Sequence, residues 1–324
     1  MKNQYVESLV VISNPNSTRA RSVEKDVVAP LRAEGVEIIR FATNHKDGDE
    51  NVREMVEGLP EAERYIVATG DGTAEQAARA LAIRRKSETA SRNSNNPPVL
   101  ALAPFGNYND TASAHRRPGQ SILEMAHKDV PTVDRTPLAF EINDNYLTHA
   151  FSYGTFGLTA MIASGFGHEK SRNLMRKVDP ISRKALGYIQ ALRSYSEYKD
   201  EKLTDFRVDG GPVLSGRTDL AFSNNYRVAG IMRFPDTYYD KPYFGAKTDV
   251  DMATIRDIVL FGGASVFGHG SLDPAEKMRI EFEETVAELP FQAGGEFQML
   301  TNVDSIFVWK DPSMKQRYVH LAAA

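Results

Sequence analysis

The sequence predicts an α/β domain built on a mostly parallel sheet, followed by a mostly antiparallel β domain with one embedded helix. Up to about Asp134, short apolar runs alternate with stretches of helical periodicity, the pattern of βαβ units. Beyond that point strand-like segments follow one another with a single helical stretch among them. The chain has 324 residues, more than one average domain, which favours two.

Leu9-Val10-Val11-Ile12 is a buried-strand run closed by the turn cluster Ser13-Asn14-Pro15-Asn16,. Between Ser22 and Glu34, Val23, Val27, Val28 and Leu31 recur at helical spacing,. Val36 to Ala42 reads as a second strand, Asn51 to Leu59 as a helix and Tyr65 to Ala68 as a third strand. Ala74 to Ile83 is the next helix and Val99 to Ala103 the fourth strand. Strands spaced by helices imply right-handed crossovers, with helices on both faces of the sheet. The polar stretch between Arg84 and Pro98, rich in Ser and Asn, reads as a surface loop,.

After Asp134, two short strands flank Asn143-Asp144-Asn145 as a hairpin,. A helix is expected from about Ile181 to Tyr198. Strands follow at Leu203 to Val208, Asp219 to Ser223, Ile255 to Leu260, Lys277 to Phe282 and Phe291 to Ala293. The expected domains are residues 1–136 and 137–304, with 305–324 as a tail that returns to the first domain.

Lys and Arg number 39 against 43 Asp and Glu, so no global charge argues for nucleic acid as a partner. There is no cysteine, which excludes disulfides, thiolate metal sites and a Cys nucleophile and fits a reducing cytoplasm. The apolar run before Asn14-Pro15 is shorter than a signal peptide requires, and no segment has the apolar length of a membrane span,. The expected location is therefore cytoplasmic, with any membrane reached only from its aqueous side. Nothing specifies oligomeric state, and a homo-oligomer is compatible with the sequence.

The sharpest feature is YIVATGDGTAEQAARAL, residues 65–81, read as strand, glycine turn and helix. Gly70 and Gly72 permit positive φ and close backbone approach to a ligand. Their amides and the start of the next helix suit phosphate. Thr73 can cap that helix or bond a phosphate oxygen. Asp71 would repel phosphate unless a cation such as magnesium intervenes. The next strand ends in LALAPFGNYND, residues 100–110. Neighbouring parallel strands place their carboxyl ends side by side, so Gly106, Asn107, Asn109 and Asp110 are expected to face the same cleft.

This pair resembles the GGDGT and PxGTxND signatures of the diacylglycerol kinase catalytic family, which includes bacterial lipid kinases and sphingosine and ceramide kinases. Asn14-Pro15-Asn16-Ser17 resembles that family's first-strand loop, Thr43 its nucleotide-contacting Thr, Val133-Asp134 its inter-domain Asp motif, and Ala293-Gly294-Gly295-Glu296 its late DGE motif. The departures are Thr69 for the leading glycine, Glu75-Gln76 for Asn-Glu, Asn107 for Thr and Gly294 for Asp. The family's magnesium motif survives only as Lys247 to Met252, with Asp249 and Asp251.

The resemblance implies a three-layer α/β domain and a β-sandwich domain, with the active site between them. It implies transfer of the γ-phosphate of ATP to a lipid hydroxyl, diacylglycerol-like or sphingoid, in phospholipid metabolism. Asn14, Asn16, Thr43, Gly70 to Thr73, Gly106, Asn107, Asn109 and Asp110 would hold the nucleotide. Asp71 and Asp110 would hold its Mg²⁺, Asp134 would steady that network, and Asp249 with Asp251 would form the second-domain metal motif. Glu296 would take the proton from the hydroxyl. A basic segment, His168 to Lys184, sets six cations against Glu169 and Asp179, net +4, and suits anionic headgroups.

Two rival readings stand beside this one. An NAD kinase relative would share GGDGT, but no TGSTAY-like segment is present. A non-catalytic nucleotide- or lipid-binding relative is favoured by the losses at Gly294 and around Asp249. No GxSxG elbow and no GxGxxG after a strand occur, which disfavours an α/β-hydrolase and a dinucleotide dehydrogenase,.

Overall fold

The computed structural model describes the chain apart from residues 1–3, 18, 44–47, 90–97, 106–111, 113–120, 168–185, 187–188, 190–192, 199, 226, 229–231, 234–237, 239, 251–271 and 322–324. Two compact units emerge: Met1–Thr136 with Pro312–Ala324, and Pro137–Asp311.

The first unit is built on a sheet whose strands are β1 (Ser8–Ser13), β2 (Glu37–Ala42), β3 (Arg64–Thr69), β4 (Val99–Pro104), β5 (Thr132–Arg135) and β18 (Gln316–Val319). Their order is β2-β1-β3-β4-β18-β5, parallel throughout except for the antiparallel pair β18 and β5. β1 and β3 are buried along nearly their whole length, as continuous apolar runs demand when both faces are covered. Leu9, Val11, Ile66, Ala68, Ala101 and Ala103 pack with the helical segment that carries Val23, Val27, Val28 and Leu31. That segment begins as a π-turn, Glu24–Val28, before α1 (Ala29–Ala33). Val10, Ile12, Tyr65, Val67, Leu100 and Leu102 are equally buried and, by strand alternation, face the other way. Helices α2 (Gly48–Gly58) and α3 (Asp71–Thr89) pack on each other and α3 on β3.

Helix α3 runs six residues past its expected end at Ile83, into the stretch read as a loop. Arg84, Arg85 and Lys86 are good helix formers, and Arg84 Nη1 donates to the Leu59 carbonyl at 2.6 Å, tying the added turn down. Helix α4 (Ile122–Met125) is one capped turn, with Ser121 and Glu124 forming a reciprocal capping box,. The tail returns to the first unit through β18, from Pro312 onward. Residues 305–310, read from sequence as part of that tail, are instead the end of a long strand of the second unit.

The second unit is antiparallel. Its main sheet contains β6 (Leu138–Ile142), β7 (Asn145–Ala150), β8 (Tyr153–Gly157), β9 (Phe206–Val208), β10 (Val213–Leu214), β11 (Asp219–Ser223), β14 (Phe244–Val250), β15 (Asp273–Ala275), β16 (Lys277–Ala293) and β17 (Glu296–Lys310). Strands β12 (Arg227–Val228) and β13 (Met232–Arg233) pair separately. The main order is β15-β14-β11-β8-β16-β17-β6-β7. β6 and β11 are four steps apart along that path, about 19 Å in a flat sheet. Yet the rings of Phe140 on β6 and Phe222 on β11 lie 6.1 Å apart. The sheet therefore folds over on itself. Phe140, Phe156, Phe222 and Phe291 form the clasped core, with Phe156 and Phe291 stacked at 4.6 Å.

The two strands expected at Lys277–Phe282 and Phe291–Ala293 are one strand, β16, with a register shift between Glu281 and Val286. Its early part pairs with β9 and its late part with β8. Helix α5 (Leu158–Gly167) escaped the sequence reading, because LTAMIASGFG is almost uniformly apolar and shows no polar face. The expected strand Ile255–Leu260 lies outside the described residues, as does most of the expected helix Ile181–Tyr198, of which residues 193–198 are helical.

At the start of α5, Asp219 Oδ1 accepts from the Thr159 amide at 2.6 Å and the residue is 1% exposed. Burial raises its pKa from 3.8 to about 6, against the lowering effect of the Thr159 and Thr218 hydrogen bonds. A folded-state pKa above the unfolded one contributes stability that is complete below about pH 3.8 and is lost as pH rises through about 6. Asp219→Asn should therefore gain on the natural chain between pH 4 and 7, by about 3 kcal/mol at most. The sole tryptophan, Trp309, lies on β17 of the same unit, so its fluorescence in urea titrations reads that unit. Parallel pH profiles for the two proteins would show that Asp219 titrates normally.

Candidate functional site at the strand tips of the first unit

Register sets the site. Ser13 stands level with Ala42 and Ala68, and Thr69 with Pro104. The carboxyl ends of β1, β2, β3 and β4 thus form one edge, and two further bonds carry the ladder past the strands. The Thr43 amide donates to the Ser13 carbonyl at 3.0 Å, and the Phe105 amide to the Thr69 carbonyl at 3.2 Å. Asn14, Thr43, Gly70 and Phe105 are consequently neighbours along that edge.

Gly70 is the N-cap of α3: its carbonyl accepts from Ala74 at 3.1 Å, the first intrahelical bond,. The amides of Gly72 and Thr73 fall in the first turn, where no intrahelical acceptor exists by position. The positive end of a 19-residue helix dipole lies there too,. Main-chain donors and dipole converge on one spot suited to phosphate.

Two expectations about this loop need correction. Gly70 and Gly72 are not among the described glycines with positive φ; the helix begins directly after Gly70, so Gly72 is helical. What the glycines contribute is the missing side chain. Thr73 is not the cap either, since it sits inside the first turn with 7% exposure. Its Oγ1 accepts from Asn14 Nδ2 at 3.3 Å. Asn14 Oδ1 in turn accepts from the Asn16 amide at 2.8 Å, so the β1 loop is braced against the helix start. Asp71 is the first helical residue and only half-buried, placing a carboxylate beside the amides. Thr43, the position singled out by the family resemblance, is fully buried at the same edge, and its hydroxyl has no hydrogen-bond partner among the described residues.

The remaining predicted residues are elsewhere. Gly106, Asn107, Asn109 and Asp110 follow Phe105 directly but lie outside the described residues, as does Asp251. Asp134 pairs with Arg317, which also pairs with Val99, the first residue of β4. It is thus at the opposite end of the sheet, about 16 Å of strand from Pro104, because β5 runs antiparallel to its neighbour. Asp134 accepts from Arg317 Nε at 2.9 Å and pairs with Lys315 at 3.2 Å. Partial burial pushes its pKa up, but the bonds and charges of Arg317 and Lys315 outweigh that and hold it below the usual carboxylate range. The structure does not bring it to the phosphate loop.

In the second unit, Asp249 is half-exposed and paired with Lys247 at 2.9 Å. Its level is that of Val250, Asp219 and Gly157. Glu296 follows a two-residue turn in which Gly294 and Gly295 have φ of 55° and 88°, a conformation glycine adopts without strain. Its partner Ala293 is level with Gly154, toward the other end of β8. The ladder therefore separates Glu296 from Asp249. No group of three or more His, Cys, Asp or Glu placed to hold a metal occurs among the described residues.

Residues 8–135, the span that contains this edge, match the family model of the diacylglycerol kinase catalytic domain. This segment belongs to the diacylglycerol kinase catalytic domain family. The whole chain is also similar in fold to a crystal structure of a diacylglycerol kinase from Bacillus anthracis str. Sterne, with TM-score 0.62 at 17% identity over 97% of both chains. A second protein of that strain, provisionally given the same kinase name, aligns with TM-score 0.64 at 18% identity over 98% of this chain and 99% of its own. At such identities the likeness establishes the fold. No curated protein matches. The family of the matched segment implies ATP use. No described helix is long and apolar enough to cross a membrane.

Proposed function

We propose that the protein is an ATP-dependent lipid kinase that moves the γ-phosphate of ATP to a lipid hydroxyl. The supporting observation is the meeting of the α3 amino terminus, the Asn14 loop and Asp71 at one edge of a parallel sheet, within a kinase-family domain. Phosphoryl transfer asks mainly for positioning and charge stabilisation. The Gly72 and Thr73 amides orient the triphosphate, and Asn14 holds the loop over it.

Magnesium bound with a nucleotide needs only one or two protein carboxylates, since phosphates and water complete its shell. Asp71 fits that role and Asp110 is assigned beside it. The metal would neutralise charge on the transferring group. Glu296 is assigned as the base that accepts the hydroxyl proton. Asp249 is engaged by Lys247, which favours, as a second reading, a family member that binds nucleotide without transferring phosphate.

Incubation of the full chain with labelled ATP, magnesium and a panel of diacylglycerol, sphingoid base, ceramide and phosphatidylglycerol should give one labelled lipid. Saturable ATP binding with no labelled lipid from the panel or from a broad lipid extract would leave the second reading.

A further inference from the structure

On the second unit's sheet, the face turned away from the phenylalanine core carries a buried polar pair. Thr155 on β8 stands level with Gln292 on β16, so their side chains are neighbours on one face. Phe156 and Phe291, one residue along on each strand, fill the core, which assigns Thr155 and Gln292 to the opposite face. Thr155 is fully buried and Gln292 is 6% exposed. Gln292 Nε2 donates to the Tyr153 hydroxyl at 3.5 Å. Its Oε1 and Thr155 Oγ1 have no hydrogen-bond partner among the described residues.

Burying a polar atom without a partner opposes folding. Either a trapped water or a ligand supplies bonds missing at such a place, and the surroundings favour a ligand. Beside Thr155 on β11 is Ala221, whose methyl cannot bond the hydroxyl. Beside Gln292 on β17 is Phe297, and Met299 follows it on the same face. These two are 38% and 41% exposed, an open apolar patch next to a buried polar one. Helix α5 packs on β8 and β16, and its Leu158 and Ile162 join Tyr195 and Val250 rather than the phenylalanine core. It therefore lies over the same face as the polar pair. Asp219 stands on that face two residues before Ala221, and Lys247, level with Ala221, is paired with Asp249 at 2.9 Å. Neither arrangement favours an anionic ligand.

We propose that Thr155 and Gln292 bind the head group of an amphiphile that offers a hydroxyl and carries no negative charge, with its hydrocarbon on Phe297 and Met299. The hydroxyl donates to Gln292 Oε1 while its oxygen accepts from Thr155 Oγ1. A glycerol lipid, a sphingoid base and a ceramide share this chemistry. The lipid's role as phosphate acceptor, with these two residues setting head-group selectivity, rests on the kinase reading; the binding site itself does not.

The test uses the full chain without ATP. Equilibrium dialysis measures radiolabelled dioctanoylglycerol, sphingosine and a short-chain ceramide, with the methyl ether of dioctanoylglycerol and dioctanoyl phosphatidic acid as controls. Saturable binding of a hydroxyl lipid is expected, with both controls at least about tenfold weaker, and the lipid that binds identifies the source of the head. Thr155→Val should weaken that binding about tenfold. It should also leave the urea midpoint of the free protein, read at Trp309, level or higher, because it removes a buried group that has no partner. Phe297→Ser, at an exposed position, should weaken binding about fivefold without moving the midpoint. A lower midpoint for Thr155→Val is the mark of a trapped water and overturns the site, as does equal binding of the ether or by the two variants. Labelled lipid formed from ATP equally by natural chain and variants would overturn this site and leave the kinase reading. Binding that the variants lose, with no labelled lipid from the natural chain, would uphold the site and overturn the kinase reading.

Discussion

Asp71→Ala should lower phosphoryl transfer by about a thousandfold while leaving the protein folded. The carboxylate stands at the first position of α3, beside amides that attract phosphate. A negative charge in that place opposes triphosphate binding unless magnesium lies between them. Removal of a preorganised electrostatic element of this kind costs a factor of about 10² to 10³ in turnover. The structural cost is small, because an acidic residue in a helix first turn contributes only about 0.3–1 kcal/mol through the dipole. Labelled-phosphate turnover and a circular dichroism melt would separate the two effects. Activity within tenfold of the natural chain would remove Asp71 from the mechanism.

Gly157→Ala should be the most damaging single methyl group in the second unit, at about 3–5 kcal/mol. Gly157 has φ +93°, and a Cβ there would lie 2.2 Å from the Thr218 carbonyl oxygen. That oxygen accepts from the Leu158 amide at 3.0 Å, and the Thr218 amide donates to Val250 at 2.9 Å. One close approach therefore joins the end of β8, the start of α5, β11 and β14. A side chain would push β11 away and loosen the Asp219 cap with it. Gly210→Ala is the control, since Gly210 has φ +72° with nothing within 4 Å of the added carbon. Backbone strain alone predicts about 1–2 kcal/mol there. Urea titrations followed at Trp309 read both. Equal losses would mean that strain, not the close approach, governs the site.

Much of the first unit was legible because its central strands are buried on both faces. Runs such as Leu9 to Ile12 and Tyr65 to Ala68 announce themselves without context,. The junction of strand and helix was legible for a related reason: the apolar run that ends at Thr69 gives way after Gly70 to a helical stretch. β18 was less so. Gln316-Arg317-Tyr318-Val319 is short and half polar, and becomes a strand because β4 and β5 each offer it an edge.

Asp134 shows where motif reading stopped. A sequence does not state the sense of an isolated strand, and the reversed sense of β5 decides which end of the sheet Asp134 occupies. Asp219 shows a second limit. It caps a helix whose bonded amide, Thr159, lies 60 residues earlier, beyond any local capping signature. The fold-over of the second sheet was equally hidden, because it depends on contacts such as Phe140 to Phe222 that only the closed chain makes.

β18 lies between β4 and β5 in the sheet, so the first unit's strand order is interrupted in the chain by the whole of the second. Residues emerging from a ribosome in sequence would present β4 and β5 long before the strand that separates them. During that interval an edge of β4 stays open, and pairing it directly with β5 would close the wrong sheet. The entire second unit is made in the meantime and can fold first. Completion of the first unit is thereby deferred until synthesis passes Gln316–Val319, a delay written into the topology itself,.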